Sequence, residues 1–160
     1  MGYKVLRGPP RIKILEAAGS IADGRVKILR DEASRVEAIV GSSLGDRSYR
    51  VVLSIAGPKA VMASSDDNGT RFRGYIGYPI VAVMMLKGLL PRDPVVEEAL
   101  RGVQWRVLNE RFKSYERVLE EVFKSVESRL GRGVVERVKA YMGRVEAELS
   151  SYKVYLVEGL

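Results

Sequence analysis

The sequence has no cysteine and no histidine. Without thiols no disulfide can form, which suits a reducing compartment. Zinc, iron and copper lose their usual imidazole and thiolate ligands, so that only oxygen-ligand metal sites remain possible. Catalysis by Ser-His-Asp or Cys-His groups is excluded for the same reason. We therefore expect no cofactor, no metal site and no catalytic residues.

Amide side chains are also scarce. Glutamine occurs once, at position 104, and asparagine twice, at positions 68 and 109, whereas Arg, Glu and Val are abundant. Few amides and many potential ion pairs are typical of proteins that work at high temperature. The composition thus predicts a thermophilic source and carries no functional information by itself.

Long hydrophobic runs are missing. The most apolar stretch, Ile80 to Leu86, is far shorter than the roughly 20 residues that a membrane-spanning helix needs. The start, Met1 to Lys4, lacks the basic segment and apolar run of a cleavable signal. We expect a cytoplasmic protein with no membrane partner.

The positive charge is uneven along the chain. The formal net charge is +7, and residues 1–90 contribute 14 basic and 8 acidic side chains, against 13 and 12 in residues 91–160. A basic half favours an acidic partner, most simply a phosphate backbone, whereas balanced charge is typical of a solvated helical surface. We predict a basic, β-rich domain in residues 1–90 and a helical extension in residues 91–160 that packs on it.

Hydrophobic periodicity predicts an α+β fold. A helix follows Gly8-Pro9-Pro10, and alternating β-branched residues then predict a short antiparallel sheet of three to five strands. The predicted strands are 25–29, 35–40, 49–55 and 60–65, with a further brief strand at 71–76 and a closing strand at 153–157. Pro79 opens a helix that is apolar all round and must be buried. Two amphipathic stripes on either side of Gly131 predict a C-terminal helical hairpin.

Residues 24–87 resemble the SWIM zinc-binding domain in order and residue type. The matching segments are Gly24-Arg25-Val26 for the first strand, Ile39-Val40-Gly41-Ser42 for the turn, Tyr49-Arg50-Val51-Val52-Leu53 for the next strand, and Gly77-Tyr78-Pro79-Ile80-Val81-Ala82-Val83 for the helix start. All four zinc ligands are replaced: Gly77 and Pro79 stand in two ligand positions, and the other pair falls near Ala63 and Ser65, or one residue earlier.

The resemblance implies a small β-hairpin sheet packed on one helix, in a family associated with binding DNA or proteins, including recombination accessories. The departures remove zinc, which often holds such a small module folded. The apolar helix and the helical extension would then have to stabilise the module in place of the zinc ion. The alternative is an ordinary hairpin followed by a helix-starting proline.

Cations alternate with aromatic residues beside the strongest turn signal, Asp66 to Thr70. Single-stranded nucleic acid is held in this way, by phosphate neutralisation and base stacking. The candidate nucleic-acid-binding residues are Arg71, Arg73, Tyr75, Tyr78 and Lys59, and Arg11, Lys13, Arg25 and Lys27 extend the patch if they share its face. The alternative is that the tyrosines pack on the core with the arginines outside.

Other polar features favour structural roles. Asp66, Asp67 and Asn68 carry oxygen ligands suited to Mg²⁺ or Ca²⁺, but a polar turn accounts for them. Trp105, Phe112 and Tyr115 are expected to pack in the core. A carboxylate-dependent nuclease would require Asp46, Asp66 and Glu37 to converge on one pocket.

These observations predict a non-enzymatic nucleic-acid-binding protein, and the SWIM resemblance adds an accessory role in DNA repair or recombination. The alternative is a protein-interaction or oligomerisation module, with a protein partner or a second copy bound through the C-terminal helices.

Overall fold

The computed structural model describes residues 3–160. Met1 and Gly2, on which part of the expectation about the leader depends, lie outside the described residues. Residues 3–160 form six strands, six α-helices and one π-helical turn. In chain order these are β1 (Lys4–Val5), α1 (Ile12–Ala22), β2 (Val26–Glu32), β3 (Arg35–Gly41), β4 (Ser48–Gly57), β5 (Ala60–Ser65), the π-turn (Gly69–Arg73), α2 (Tyr78–Leu86), α3 (Pro94–Ala99), α4 (Trp105–Phe112), α5 (Tyr115–Leu130), α6 (Arg132–Ser150) and β6 (Lys153–Leu156).

The α+β class predicted from the sequence is confirmed. The sheet has the order β1-β6-β5-β4-β3-β2. Strands β2 to β5 form the expected antiparallel meander, but β6 pairs with β5 in parallel and with β1 antiparallel. The sheet is therefore mixed and six-stranded, because the two ends of the chain add strands at one edge. The closing strand expected at residues 153–157 is present at Lys153–Leu156.

Helix α2 lies on the sheet and is buried all round. Pro79 occupies its first turn, where a missing backbone N–H costs nothing, and residues Pro79 to Met85 are all buried. Its contacts are with β3, β4 and β5 on one side and with α1 on the other. The uniform hydrophobicity of this segment thus reflects a position in the middle of the molecule.

Helix α1 is also almost completely buried. It packs against α2, α3 and α6, so that it forms a further layer beyond α2 as seen from the sheet. The helix ends at Asp23, and Gly24 follows with a φ of 67°, a conformation that glycine adopts without strain. Glu16 is a charged residue in this buried helix.

The second half of the chain supplies helices to the same core. Asp93 caps α3 by accepting hydrogen bonds from the backbone N–H groups of Val95 and Val96. Helices α5 and α6 meet at Gly131 and pack against each other. The apolar stripes of both helices are buried within the chain; their buried members are Val118, Val122, Val126, Val135, Val138, Tyr141, Met142, Val145 and Leu149. The division at residue 90 stays a prediction, and one hydrophobic core joins residues from both sides of it.

The predicted strand at residues 71–76 is wrong. The segment forms the π-turn instead, because the Asp67 carboxylate is buried there and accepts hydrogen bonds from the Thr70 backbone N–H at 3.0 Å and the Thr70 hydroxyl at 2.8 Å. These bonds curl the chain just after β5, and Gly74 ends the turn with a φ of 71°. The polar stretch before it is therefore not a solvated hairpin turn.

None of the helices in residues 3–160 combines the length and the apolar character that crossing a membrane requires.

Candidate ligand-binding cleft

A cleft of about 480 Å³ opens between the sheet and the helices of the second half. Its walls come from the start of α1, the β3–β4 loop, the π-turn, the start of α2, and the segment from α4 to the start of α5. Ligand sites of folded proteins typically have volumes of about 300–1,000 Å³. The cleft is lined by six cations and three carboxylates, with four tyrosines and the single tryptophan of the chain.

The innermost side chains are called here the cleft floor: Lys13, Glu16, Arg25, Trp105 and Asn109. Lys13 Nζ lies 2.8 Å from Glu16 Oε2, and Asn109 Nδ2 donates to Glu16 Oε1 at 3.4 Å. Burial raises the pKa of Glu16, against the opposing effect of Lys13. Burial would lower the pKa of Lys13, but the Glu16 carboxylate outweighs it and the net shift is upward. Inside the protein, the Lys13 ammonium and the Glu16 carboxylate thus compensate each other's charge.

Four buried polar atoms of the floor lack a hydrogen-bond partner within the described residues: Arg25 Nη2, Trp105 Nε1, Asn109 Oδ1, and Glu16 Oε2, whose contact is the ion pair with Lys13. The other nitrogens of Arg25 are engaged, Nε with Asp23 at 3.3 Å and Nη1 with the Gly41 carbonyl at 2.7 Å. Trp105 Nε1 faces helix α1, since a Cβ at Gly19 would lie 2.8 Å from it. A buried donor or acceptor without a partner costs about 1–3 kcal/mol. Buried polar atoms without partners are few in folded proteins, and here they concentrate beside one cavity.

Exposed cations surround the opening and are called here the cleft rim: Arg47, Arg73 and Lys113. Within residues 3–160 these three side chains form no ion pair with a carboxylate. Arg106, which also lines the cleft, differs because Asp46 and Glu110 neutralise it, with Nη1 2.5 Å from Asp46 Oδ2. The rim therefore presents uncompensated positive charge.

Tyrosines form much of the wall. Tyr49 and Tyr78 meet edge to face with their ring centroids 6.3 Å apart, and the Tyr78 hydroxyl donates to the Gly41 carbonyl at 3.4 Å. Burial raises the pKa of Tyr75 to about 12. The Tyr115 ring lies 5.1 Å from Lys13 Nζ. The Tyr75 hydroxyl therefore stays protonated at neutral pH and can donate as well as accept.

The π-turn is fixed by close packing beneath the cleft. Asp67 accepts a hydrogen bond from Ser65 Oγ in addition to its two bonds with Thr70. A Cβ at Gly77 would overlap the Asp67 carboxylate, and a Cβ at Gly69 would overlap the Tyr75 ring. The Arg7 side chain also stabilises the end of the π-turn, since it donates a hydrogen bond to the Arg73 carbonyl. π-Helical turns frequently occur at functional sites.

The structure separates the residues that the sequence grouped together. Arg73, Tyr75 and Tyr78 line the cleft, and Lys13 and Arg25 join them there. Arg71 lies in a different cavity beside Phe72. Lys59 is remote from the cleft: it pairs with Glu148 at 2.6 Å and lies 4.4 Å from the centre of the Tyr152 ring. Arg11 pairs with Glu146, and Lys27 lies on β2.

Some cleft residues were missed by sequence reasoning. Trp105 and Tyr115 were expected only to pack, yet both also line the cleft, whereas Phe112 packs against the core. Glu16, Arg47, Lys113 and Asn109 drew no attention. One signal was available: the chain has two asparagines, Asn68 and Asn109, and both line the cleft.

The carboxylates considered for a nuclease are used elsewhere. Asp46 pairs with Arg106, Asp66 accepts from the Arg50 backbone N–H, and Glu37 pairs with Arg35 and Arg50. In the part of the chain that the structure describes, no group of three acidic side chains is placed to hold a metal ion.

Comparison with known proteins gave one match. A search of the curated proteins found no match, and neither did a search of the solved structures. Residues 6–155 match the model of the family described as "Uncharacterised conserved protein UCP014422". This match covers nearly all of the chain, including every part of the cleft, and the chain therefore belongs to that family.

Proposed function

We propose that the chain binds a nucleotide in the cleft, either free or as one unit of single-stranded nucleic acid. The observation that carries the proposal is the division of the cleft. Uncompensated cations stand at the rim, and aromatic rings and unpartnered polar atoms lie below them.

The rim favours an anionic group. Arg47, Arg73 and Lys113 can each donate charge-assisted hydrogen bonds to phosphate oxygens, and arginine does so with two parallel bonds. A ligand with a negative charge at one end would therefore orient itself with that end at the opening.

The wall and floor favour a planar polar ring. Tyr75, Tyr78 and Tyr115 offer aromatic surfaces, on which a base stacks. Arg25 Nη2 supplies an unused donor and Asn109 Oδ1 an unused acceptor. Every nucleobase carries both donors and acceptors on its edge, so that a base suits a cavity whose lining offers both kinds of group. Together with a phosphate at the rim, this describes a nucleotide.

Binding can be followed through Trp105, because it is the only tryptophan of the chain and lines the cleft. We expect nucleoside monophosphates and short single-stranded oligonucleotides to change its fluorescence on titration. The corresponding nucleosides and inorganic phosphate alone are expected to bind more weakly, since each occupies half of the site. Added salt should weaken binding of the phosphorylated ligands.

A matched pair of variants tests the rim. The double variant Arg47→Ala, Arg73→Ala should lower the affinity for the monophosphate about 10-fold or more, since hydrogen bonds to charged groups are worth about 1.5–3 kcal/mol. Lys124→Ala serves as the control, because Lys124 is an exposed cation on α5 that pairs with Glu121 and does not line the cleft. The proposal is wrong if neither mononucleotides nor oligonucleotides bind, or if both variants lower affinity equally.

A further inference from the structure

Phe72 is an unusually exposed aromatic residue on the outside of the π-turn. Its side chain is 72% exposed, the largest value among the exposed large hydrophobic residues of the described chain. The Arg71 guanidinium lies 5.1 Å from the centre of its ring. A single exposed apolar residue needs no explanation by itself. A ring beside an unpaired arginine at the edge of a candidate nucleotide cleft has the composition of a base-stacking platform.

The π-turn separates two cavities and contributes to both. Arg73 and Gly69 line the cleft, whereas Arg71 and Phe72 line a second cavity of about 650 Å³ on the far side. A helical turn with its side chains is about 10 Å across. One strand of nucleic acid advances about 3.4 Å per nucleotide when stacked, so that about three nucleotides cross the turn.

The charges of the second cavity indicate whether a phosphate or a base of a nucleic-acid strand would bind there. Arg50 and Arg71 line it, but so do Asp66 and Glu158. A phosphate gains little from such a balanced surface. A base does gain from it, since stacking on an aromatic ring depends on contact area and desolvation more than on charge. Arg71 and Arg73, two residues apart on the same turn, are placed for the phosphates in between.

We propose that the ligand is a single-stranded nucleic acid of about three nucleotides or more, which crosses the π-turn with one base in the cleft and another base of the same strand, on the far side of the turn, stacked on Phe72. This rests on the proposed function of the cleft and selects the polymeric ligand over the free nucleotide. Specificity for single strands follows because a base inside a duplex is not free to stack on Phe72 or to enter the cleft.

The test compares a uridine or thymidine monophosphate with the corresponding trinucleotide, with Trp105 fluorescence as the readout. The wild type should bind the trinucleotide more tightly than the monophosphate. Phe72→Ala should weaken trinucleotide binding about 5- to 150-fold, which corresponds to about 1–3 kcal/mol of stacking, and leave monophosphate binding unchanged. Leu29→Ala is the control, because Leu29 is an exposed apolar side chain on β2, away from both cavities. It should alter neither affinity.

Two outcomes overturn the inference, and they can be told apart. Equal affinities for the two ligands, unchanged by Phe72→Ala, would mean that the cleft takes one nucleotide and the π-turn carries no strand. If the wild type binds neither the monophosphate nor the trinucleotide, the cleft proposal is overturned as well. Because Phe72 is exposed, its replacement should leave the thermal unfolding temperature unchanged, so that altered binding reports on the contact itself.

Discussion

The floor and the rim of the cleft both carry cations, but those of the floor are paired inside the protein and those of the rim are exposed. Lys13 and Arg25 at the floor are compensated inside the protein, by Glu16 and Asp23 respectively. Arg47 and Arg73 at the rim have no carboxylate partner within residues 3–160. Buried charge must be compensated by the fold itself, because an unpaired ion in the interior costs several kcal/mol. Exposed charge is compensated by water and is available to a ligand. We therefore expect the floor to control stability and the rim to control binding.

The largest effect is expected from breaking the floor pair. Glu16→Ala leaves the Lys13 ammonium buried without its counter-ion, and we expect a loss of about 3–5 kcal/mol in the free energy of unfolding, measured by chemical denaturation. The matched double variant Lys13→Met, Glu16→Leu removes both charges and keeps similar volumes. It should recover most of the lost stability, and the rim cations that bind the ligand are left in place. If Glu16→Ala is as stable as the wild type, the pair is not buried as described.

The next effect comes from the packing that holds the π-turn. In Gly77→Ala the new methyl group would overlap the Asp67 carboxylate, and overpacking of this kind costs about 1–3 kcal/mol. Because Asp67 orders the segment that carries Arg73 and Tyr75, nucleotide binding should fall together with stability. Gly133→Ala in α6 is the control: no atom lies within 4 Å of its added Cβ, and alanine favours the helix. That variant should be at least as stable as the wild type and bind normally.

A smaller effect is expected at a charge pair that lies away from the cleft. Asp93 accepts from Arg137 Nε at 2.8 Å and from Nη2 at 3.1 Å, and Arg137 holds the pKa of that carboxyl below its ordinary value. A lowered pKa contributes stability above the unfolded value of about 3.9, and the contribution is lost as the pH falls through the folded value.

Asp93→Asn keeps the helix cap and removes the charge. At pH 7 we expect the variant to be about 0.2–1 kcal/mol less stable, because the Arg137 side chain is half exposed and water screens the pair. The difference should shrink between pH 7 and pH 2, as the pH falls toward the folded pKa of Asp93, which lies below its ordinary value. Thermal unfolding at the two pH values measures this, with nucleotide binding at pH 7 unchanged. A difference that persists at low pH would mean that Asp93 acts through packing and not through its charge.

The sequence predicted the helices and strands better than the contacts between them. Strands β2 to β5 and helix α2 follow from local patterns, since alternation and a continuous apolar run are visible in any window of the chain. The π-turn was missed because it depends on the burial of Asp67, which a turn-forming sequence gives no reason to expect. Arg71 and Arg73 consequently line different cavities, although a strand at 71–76 would have placed them on one face.

The cleft itself could be predicted only in part. Arg73, Tyr75 and Tyr78 were identified by local composition. Glu16 lies far along the chain from Asn109 and Lys113, and it meets them only because α4 and α5 return to α1. No pattern among neighbouring residues of the sequence indicates that contact. Lys59 was included on charge alone, and the partner that neutralises it, Glu148, is remote in sequence.

The smallest effect on stability should come from the rim, and this separates the two regions most directly. The triple variant Arg47→Ala, Arg73→Ala, Lys113→Ala removes three exposed cations that have no ion-pair partner within the described chain. Each replacement should change the free energy of unfolding by about 0.5 kcal/mol or less, because no buried contact is lost and repulsion between like charges is relieved. Denaturant unfolding of the triple variant should therefore match that of the wild type, whereas its binding of nucleotides should fall the most of all variants. A large loss of stability would show that the rim cations support the fold, and the contrast between floor and rim would then fail.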